Sequence, residues 1–247
     1  MERVKVSVTG EVPASDGQVL SERVMVVNGM FGIGGKDERQ KTKDEMSGGT
    51  QSSALSPEHF LWRGVVEVEI SGGDVVLITG PSGGGKSTLL RRVEAGLDGR
   101  VSVLRLSEIG VEADRAVVDC FALPLEETLA VLSRVGLAEA RVWVRRPCEL
   151  SEGQQFRYRL AKFMASEAEV LIADEFCAVL DRVTAKVVAW NLAKFVRGSV
   201  GKGRPRAAVV ATSHEDLSAD LRPGVLIWKG LGAEVRVTRY GDDRVTR

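Results

Sequence analysis

Valines alternate with polar residues at the start of the chain, which places Val4, Val6 and Val8 on one face. A period of two predicts a half-buried antiparallel strand over 3–12, and Val19–Val27 reads as a second. The pattern breaks over 34–58, where a charged run gives way to Ser-Gly-Gly-Thr-Gln-Ser-Ser with almost no apolar residue. That composition predicts a mobile surface insertion. Alternation resumes over Leu61–Ile70, so 1–33 and 59–72 are expected to form an antiparallel β subdomain. The run from Asp74 to Gly80 is short, apolar and β-branched, as a buried parallel strand should be. Ser87–Ala95 follows as a helix ended by Gly96.

Further on, Arg100–Leu106 and Arg115–Phe121 are candidate strands. Leu125–Gly136 has helical spacing, and Phe156, Leu160, Phe163 and Met164 mark one face of another helix. Glu169–Asp174 is an apolar strand. Arg182–Phe195 is a helix whose apolar set is Val183, Val187, Val188, Leu192 and Phe195. Arg206–Ser213 is a strand, and Val225–Trp228 with Val235–Tyr240 forms a closing hairpin. Strands alternating with helices predict an α/β fold with a mainly parallel sheet covered on both faces.

Composition narrows the function classes. At 247 residues the chain suits one large α/β domain. Lys plus Arg number 34 and Asp plus Glu number 34, so no global charge points to nucleic acid or anionic lipid. The three cysteines, Cys120, Cys148 and Cys177, match no zinc spacing and are expected as free thiols in a reducing compartment. No apolar run approaches the ~18 residues that span a bilayer. Met-Glu-Arg-Val-Lys-Val is no signal peptide, so a cytoplasmic location is expected.

The chemistry concentrates at Gly80, Pro81, Ser82, Gly83, Gly84, Gly85, Lys86, Ser87 and Thr88, between a strand and a helix. Glycines let backbone N–H groups turn inward on phosphate oxygens, and the helix N-terminus adds its positive dipole end. Lys86 would reach the β- and γ-phosphates of a nucleoside triphosphate, and the Ser87 hydroxyl would ligate Mg²⁺. An apolar strand ending in Asp174 and Glu175 supplies a second Mg²⁺ ligand in Asp174 and a base for water in Glu175.

Leu150-Ser151-Glu152-Gly153-Gln154 resembles the Leu-Ser-Gly-Gly-Gln signature of ABC-type ATPases, with Glu152 in place of the first glycine. The resemblance implies a P-loop NTPase core of one domain over 1–247, with a small helical signature subdomain at 119–165. It implies that Ser151, Gly153 and Gln154 contact the γ-phosphate held by a second subunit, so that the ATP-bound form is a head-to-tail homodimer. Asp181 matches the family's D-loop, and reads independently as a helix N-cap. His214 matches its switch histidine beside the γ-phosphate. Phe31, in Met30-Phe31-Gly32, matches the aromatic that stacks on adenine.

Two departures bear on the partner. Transporter ATPases carry a glutamine between the phosphate loop and the signature; here no glutamine lies between Lys86 and Gln154, and Asp119 stands as its candidate replacement, towards Mg²⁺ through water. The stretch from Asp119 to Leu150 is also short for gripping transmembrane helices. These departures favour a soluble, non-transporter branch, similar to ABC ATPases associated with acetyltransferase-like domains, acting on a protein partner not identified by the sequence. The alternatives are the ATP-binding subunit of a membrane transporter and a non-hydrolytic ATP sensor; nucleic acid as a partner has no support from charge.

Overall fold

The structure, a computed structural model, describes residues 4–9, 65–201, 203–232 and 234–240. The expected strand at Val19–Val27, the 34–58 segment and Phe31 lie outside the described residues.

Two sheets form. Strands β1 (Val4–Thr9) and β2 (Val65–Ile70) pair antiparallel, with Val6 opposite Val68. The larger sheet is built on β3 (Val75–Thr79), whose five residues are all buried. It also holds β4 (Val103–Arg105), β5 (Val170–Ala173), β6 (Ala207–Ala211), β7 (Val225–Lys229) and β8 (Val235–Arg239). The order is β4-β5-β6-β3-β7-β8, parallel throughout except for the β7–β8 hairpin. Along β3 the side chains alternate between two cores. Val76 and Ile78 face helix α1 (Lys86–Leu97) and the small sheet, with Leu89, Val93 and Val6. Val75 and Leu77 face the opposite layer. That layer comprises α2 (Leu125–Arg134), the short α3 (Ala140–Trp143), α4 (Glu152–Ala165), α5 (Arg182–Arg197) and the short α6 (Ser218–Leu221). A strand apolar on both faces has its core on both sides.

Four expectations are corrected. Gly96 does not end α1, which continues to Leu97. A Cβ at Gly96 would stand 2.3 Å from Val6 Cγ1, so this glycine lets the helix close onto β1. Gly96→Ala should therefore lower stability: overpacking costs about 1–3 kcal/mol, against a propensity gain of about 1 kcal/mol. Urea denaturation reads the balance, and a more stable variant would refute the close approach.

Arg115–Phe121 is not a strand. Val117–Cys120 forms a 3₁₀ turn, with Val117 and Cys120 buried and Asp119 exposed. The adjacent valines invite a strand reading, but burial at a three-residue interval prevails. Arg100–Leu106 shrinks to β4, and Leu106 opens a second 3₁₀ turn.

On α5, Val183 and Val187 are exposed at 75% and 50%. Its inward face is Ala185, Val188, Ala189, Leu192, Ala193 and Val196, where alanines bring the helix close to the sheet.

Candidate nucleotide site

The phosphate loop leaves the C-terminal end of β3 and enters α1. At Gly80 (φ 137°) a Cβ would meet the Lys229 carbonyl oxygen at 2.1 Å, so the end of β7 braces the loop from behind. Gly85 adopts a left-handed conformation (φ 88°) at the N-cap of α1. That helix has no side-chain cap and no acidic residue in its first turn, so its first N–H groups are available to an anion. The Lys86 ammonium donates to the carbonyls of Gly80 at 3.0 Å and Pro81 at 2.8 Å. Burial holds its pKa below the usual lysine value, and the nearby Asp174 and Glu175 carboxylates oppose that shift. Pro81, Ser82 and Gly83 are exposed, and Ser87 and Thr88 are half-buried in the first turn of α1.

Asp174 and Glu175 follow β5 directly and are both exposed. The Glu175 N–H donates to Asp174 Oδ1 at 3.0 Å. Glu175 (φ 47°) and Cys177 (φ 63°) lie in the left-handed region, where residues other than glycine are rarely held. The turn is pinned between them. The Phe176 N–H donates to the Ala211 carbonyl at the end of β6, and its buried ring meets Phe156 edge-on with centroids 5.8 Å apart. Phe176 thus anchors the turn that turns Glu175 outward.

Ser151 caps α4 reciprocally: its N–H donates to Gln154 Oε1 at 3.0 Å, and the Gln154 N–H to Ser151 Oγ at 3.4 Å. A Cβ at Gly153 would lie 3.2 Å from Leu180 Cδ2 and 3.3 Å from the Val179 carbonyl oxygen. The signature turn therefore sits against the turn that leads to Asp181. Asp181 is the N-cap of α5, accepting from the N–H groups of Val183 at 3.1 Å and Thr184 at 2.9 Å. Hydrogen bonds from Thr184 and Val183 hold its carboxyl below the usual aspartate range.

His214 is half-buried just past β6, its N–H donating to Thr212 Oγ1 at 3.2 Å. Thr212 in turn donates its N–H to the Ile78 carbonyl, so the histidine's segment emerges beside β3. An Arg182–Asp216 ion pair joins the start of α5 to the turn after His214. Asp119 is exposed on its 3₁₀ turn. Among the described residues, no three His, Cys, Asp or Glu side chains cluster as a metal cage. Mg²⁺ needs none here, since it is commonly held by one or two carboxylates with substrate phosphates. The donor set of Ser87 and Asp174, beside an uncapped helix, fits that mode.

Sequence reasoning missed two supports. Buried Tyr158 donates to Glu112, and Lys162 donates to Glu112 Oε1 at 3.0 Å and to the Cys120 carbonyl at 2.5 Å. This cluster ties the segment carrying Asp119 to α4; the available signal was a tyrosine and a lysine four apart on α4. Burial raises the Glu112 pKa, but the Tyr158 and Lys162 hydrogen bonds outweigh it and leave the pKa lowered. A carboxylate depressed in the folded state adds stability above its unfolded pKa and loses it as pH falls through the folded one. Stability should thus decline on acidification below about pH 4.5, the ordinary value, and Glu112→Gln should flatten that decline in urea midpoints measured against pH. An unchanged pH profile would refute this. The second support is Lys229, 2% exposed, whose ammonium donates to the Gly230 carbonyl at 2.8 Å and Gly232 carbonyl at 2.5 Å and shapes the turn behind the phosphate loop.

All three cysteines are free: Cys120 and Cys177 are buried and Cys148 is exposed. Among the described residues, no helix is long and apolar enough to cross a membrane.

A parallel sheet with a glycine loop running from its central strand into an uncapped helix defines a P-loop nucleoside triphosphatase. The sequence pattern of the ABC transporter family matches residues 64–178. The lipoprotein-releasing system ATP-binding protein LolD of Novosphingobium aromaticivorans is 29% identical over 208 residues, spanning 67% of this chain and 87% of that one. LolD of Paramagnetospirillum magneticum is 31% identical over 206 residues, spanning 68% and 87%. A dimeric bacterial ABC transporter cassette matches with a TM-score of 0.54 at 20% identity, over 73% of this chain and 93% of that one. A cassette dimer in a post-hydrolysis state, bound to ADP and Pi, gives 0.54 at 21% identity over 76% and 95%. The two structures share the fold. The chain belongs to the ABC transporter family and is an ABC ATPase.

Proposed function

We propose that this chain hydrolyses Mg²⁺-ATP as a head-to-tail dimer whose closure on ATP drives a partner protein. The observation that carries the reading is Lys86, held at the mouth of an uncapped helix with Asp174 and Glu175 acting on it. Gly80–Thr88 would bind the triphosphate through backbone N–H groups and the Lys86 ammonium. Ser87 and Asp174 would hold Mg²⁺, with Asp119 a further candidate through water; the ion supplies charge neutralisation on the phosphates. Glu175 would take a proton from the water that attacks the γ-phosphorus, releasing ADP and phosphate. His214 would donate to the γ-phosphate. Ser151, Gly153 and Gln154 would complete the site from the second copy, with Asp181 at the same interface. Phe31 is assigned to the base.

ATP then favours the closed dimer through contacts the open form lacks, which is what a ligand-driven switch requires. Phosphate release reads the hydrolysis, and light scattering with and without ATP reads the dimer. A chain that stays monomeric at saturating ATP, even as Glu175→Gln, overturns the proposal.

Two partners are consistent with such a cycle. The relatives' names, those of ATP-binding proteins of lipoprotein-releasing systems, and the ABC transporter family pattern favour a membrane permease gripped by 119–165 on the cytoplasmic side. The absent glutamine between Lys86 and Gln154 favours the soluble branch. Co-fractionation with membranes from cells of origin supports the first, and its absence the second.

A further inference from the structure

A cavity of about 460 Å³ opens between the end of α2, the last turns of α5 and the loop before β6. This is the size of a small-molecule site. It lies where the chain enters β6, at the opposite end of the parallel sheet from Gly80, so it is separate from the nucleotide site. Four cations line it: Arg134, Lys194, Arg204 and Arg206. Among the described residues, no carboxylate does.

Two of these cations serve the fold and two do not. Arg206 is 7% exposed and donates to the carbonyls of Ser166 and Ala168, both neutral acceptors. Arg204 pairs with Glu167. Arg134 and Lys194 are exposed at the rim and have no ion pair among the described residues. Lys194 lies 4.8 Å from the Trp190 ring centroid. Helix C-termini attract cations, yet the end of α5 is already capped. The Lys194 carbonyl accepts from Gly198, that of Val196 from Ser199, and that of Arg197 from Val200. The C-terminal dipoles of α2 and α5 offset about half a charge each, Glu167 pairs with Arg204, and Glu167 and Glu169 both act on Arg206. The cationic excess therefore rests on Arg134 and Lys194. Burial, followed by the neighbouring Arg204, holds the Arg206 pKa below its ordinary value, with Glu167 and Glu169 opposing that shift. Met164 and Phe195 supply an apolar wall beside these charges.

We propose that this cavity binds a small phosphomonoester, or an anion of similar charge, that carries a compact apolar body. The phosphate would meet Arg134 and Lys194, and the apolar body would lie against Phe195 and Met164.

Titration calorimetry with 1-naphthyl phosphate at low salt tests this. One molecule should bind per chain, and binding should survive in Lys86→Ala and at saturating ATP. It should weaken about tenfold or more in the Arg134→Ala, Lys194→Ala double variant, the loss expected for charged hydrogen bonds. Both substituted side chains are exposed, and circular dichroism verifies the fold. Neutral 1-naphthol should bind far more weakly. Binding abolished by Lys86→Ala, binding indifferent to the double substitution, or equal binding of 1-naphthol each overturns the proposal. So does retention on phosphatidate vesicles without binding of the soluble ester, which would assign the charges to a lipid surface.

Discussion

Lys86→Ala should abolish measurable ATP binding and lower kcat/KM for phosphate release by roughly 10²–10³-fold, the scale of removing one preorganised electrostatic contact from a transferring group. The fold should survive. The loop keeps its shape through Gly80 against the Lys229 carbonyl and the Gly84 N–H on the Pro81 carbonyl. The substitution also removes the ammonium's bonds to the Gly80 and Pro81 carbonyls, a loss offset by relief of the burial that opposes its charge. The expected signature is therefore loss of nucleotide with an unchanged urea midpoint. Nucleotide titration and phosphate release measure the first, and chemical denaturation the second. Unaltered ATP affinity would remove Lys86 from the phosphate site, and with it the main support for the proposed function.

Glu175→Gln should act differently. The amide keeps the shape of the carboxylate and leaves the turn unaltered, because that turn is held by Phe176 and by the Ala211 carbonyl. It removes the proton acceptor. Turnover should fall roughly 10²–10⁴-fold, the usual contribution of a general base, while ATP binding persists. With hydrolysis blocked, the closed form should accumulate, and light scattering at saturating Mg²⁺-ATP should give twice the mass of one chain. Wild-type turnover in this variant would exclude Glu175 as the base. Slow turnover without dimers would retain the base and discard the ATP-gated pair.

Much of the sheet was legible because its strands are buried on both faces. Val75–Thr79, Val170–Ala173 and Ala207–Ala211 are short apolar runs, and each begins or ends within a residue or two of its expected limits. The errors arose where tertiary contact overrides a local rule. Gly96 reads as a helix terminator in isolation, but its role is set by Val6, far away in sequence. Val117 and Val118 favour a strand, yet the segment is shaped by burial of Val117 and Cys120 and by the cluster around Glu112. Val183 and Val187 have helical spacing without being core, since periodicity gives a stripe but not the side that packs.

The candidate site was legible as motifs, and the structure adds why those motifs hold their shape. The glycines of the loop announce phosphate, but nothing local announces that Lys229 stands behind Gly80. Asp174 and Glu175 are readable as strand-end acids. The left-handed backbone at Glu175 is not, because it depends on Phe176 filling a core built from α4. Asp181 could be read as a cap, and its two hydrogen bonds to α5 bear out that role.

The position of β3 has a consequence for biosynthesis. Its sheet neighbours are β6 and β7, which leave the ribosome long after it. Until residues 207–229 are made, an apolar strand with two unpaired edges waits without a sheet, a state open to misassociation. The Lys229 carbonyl that braces Gly80 arrives in the last of those strands. The phosphate loop is thus translated before the strands that complete it, so a nascent chain acquires its nucleotide site only once β7 has been synthesised.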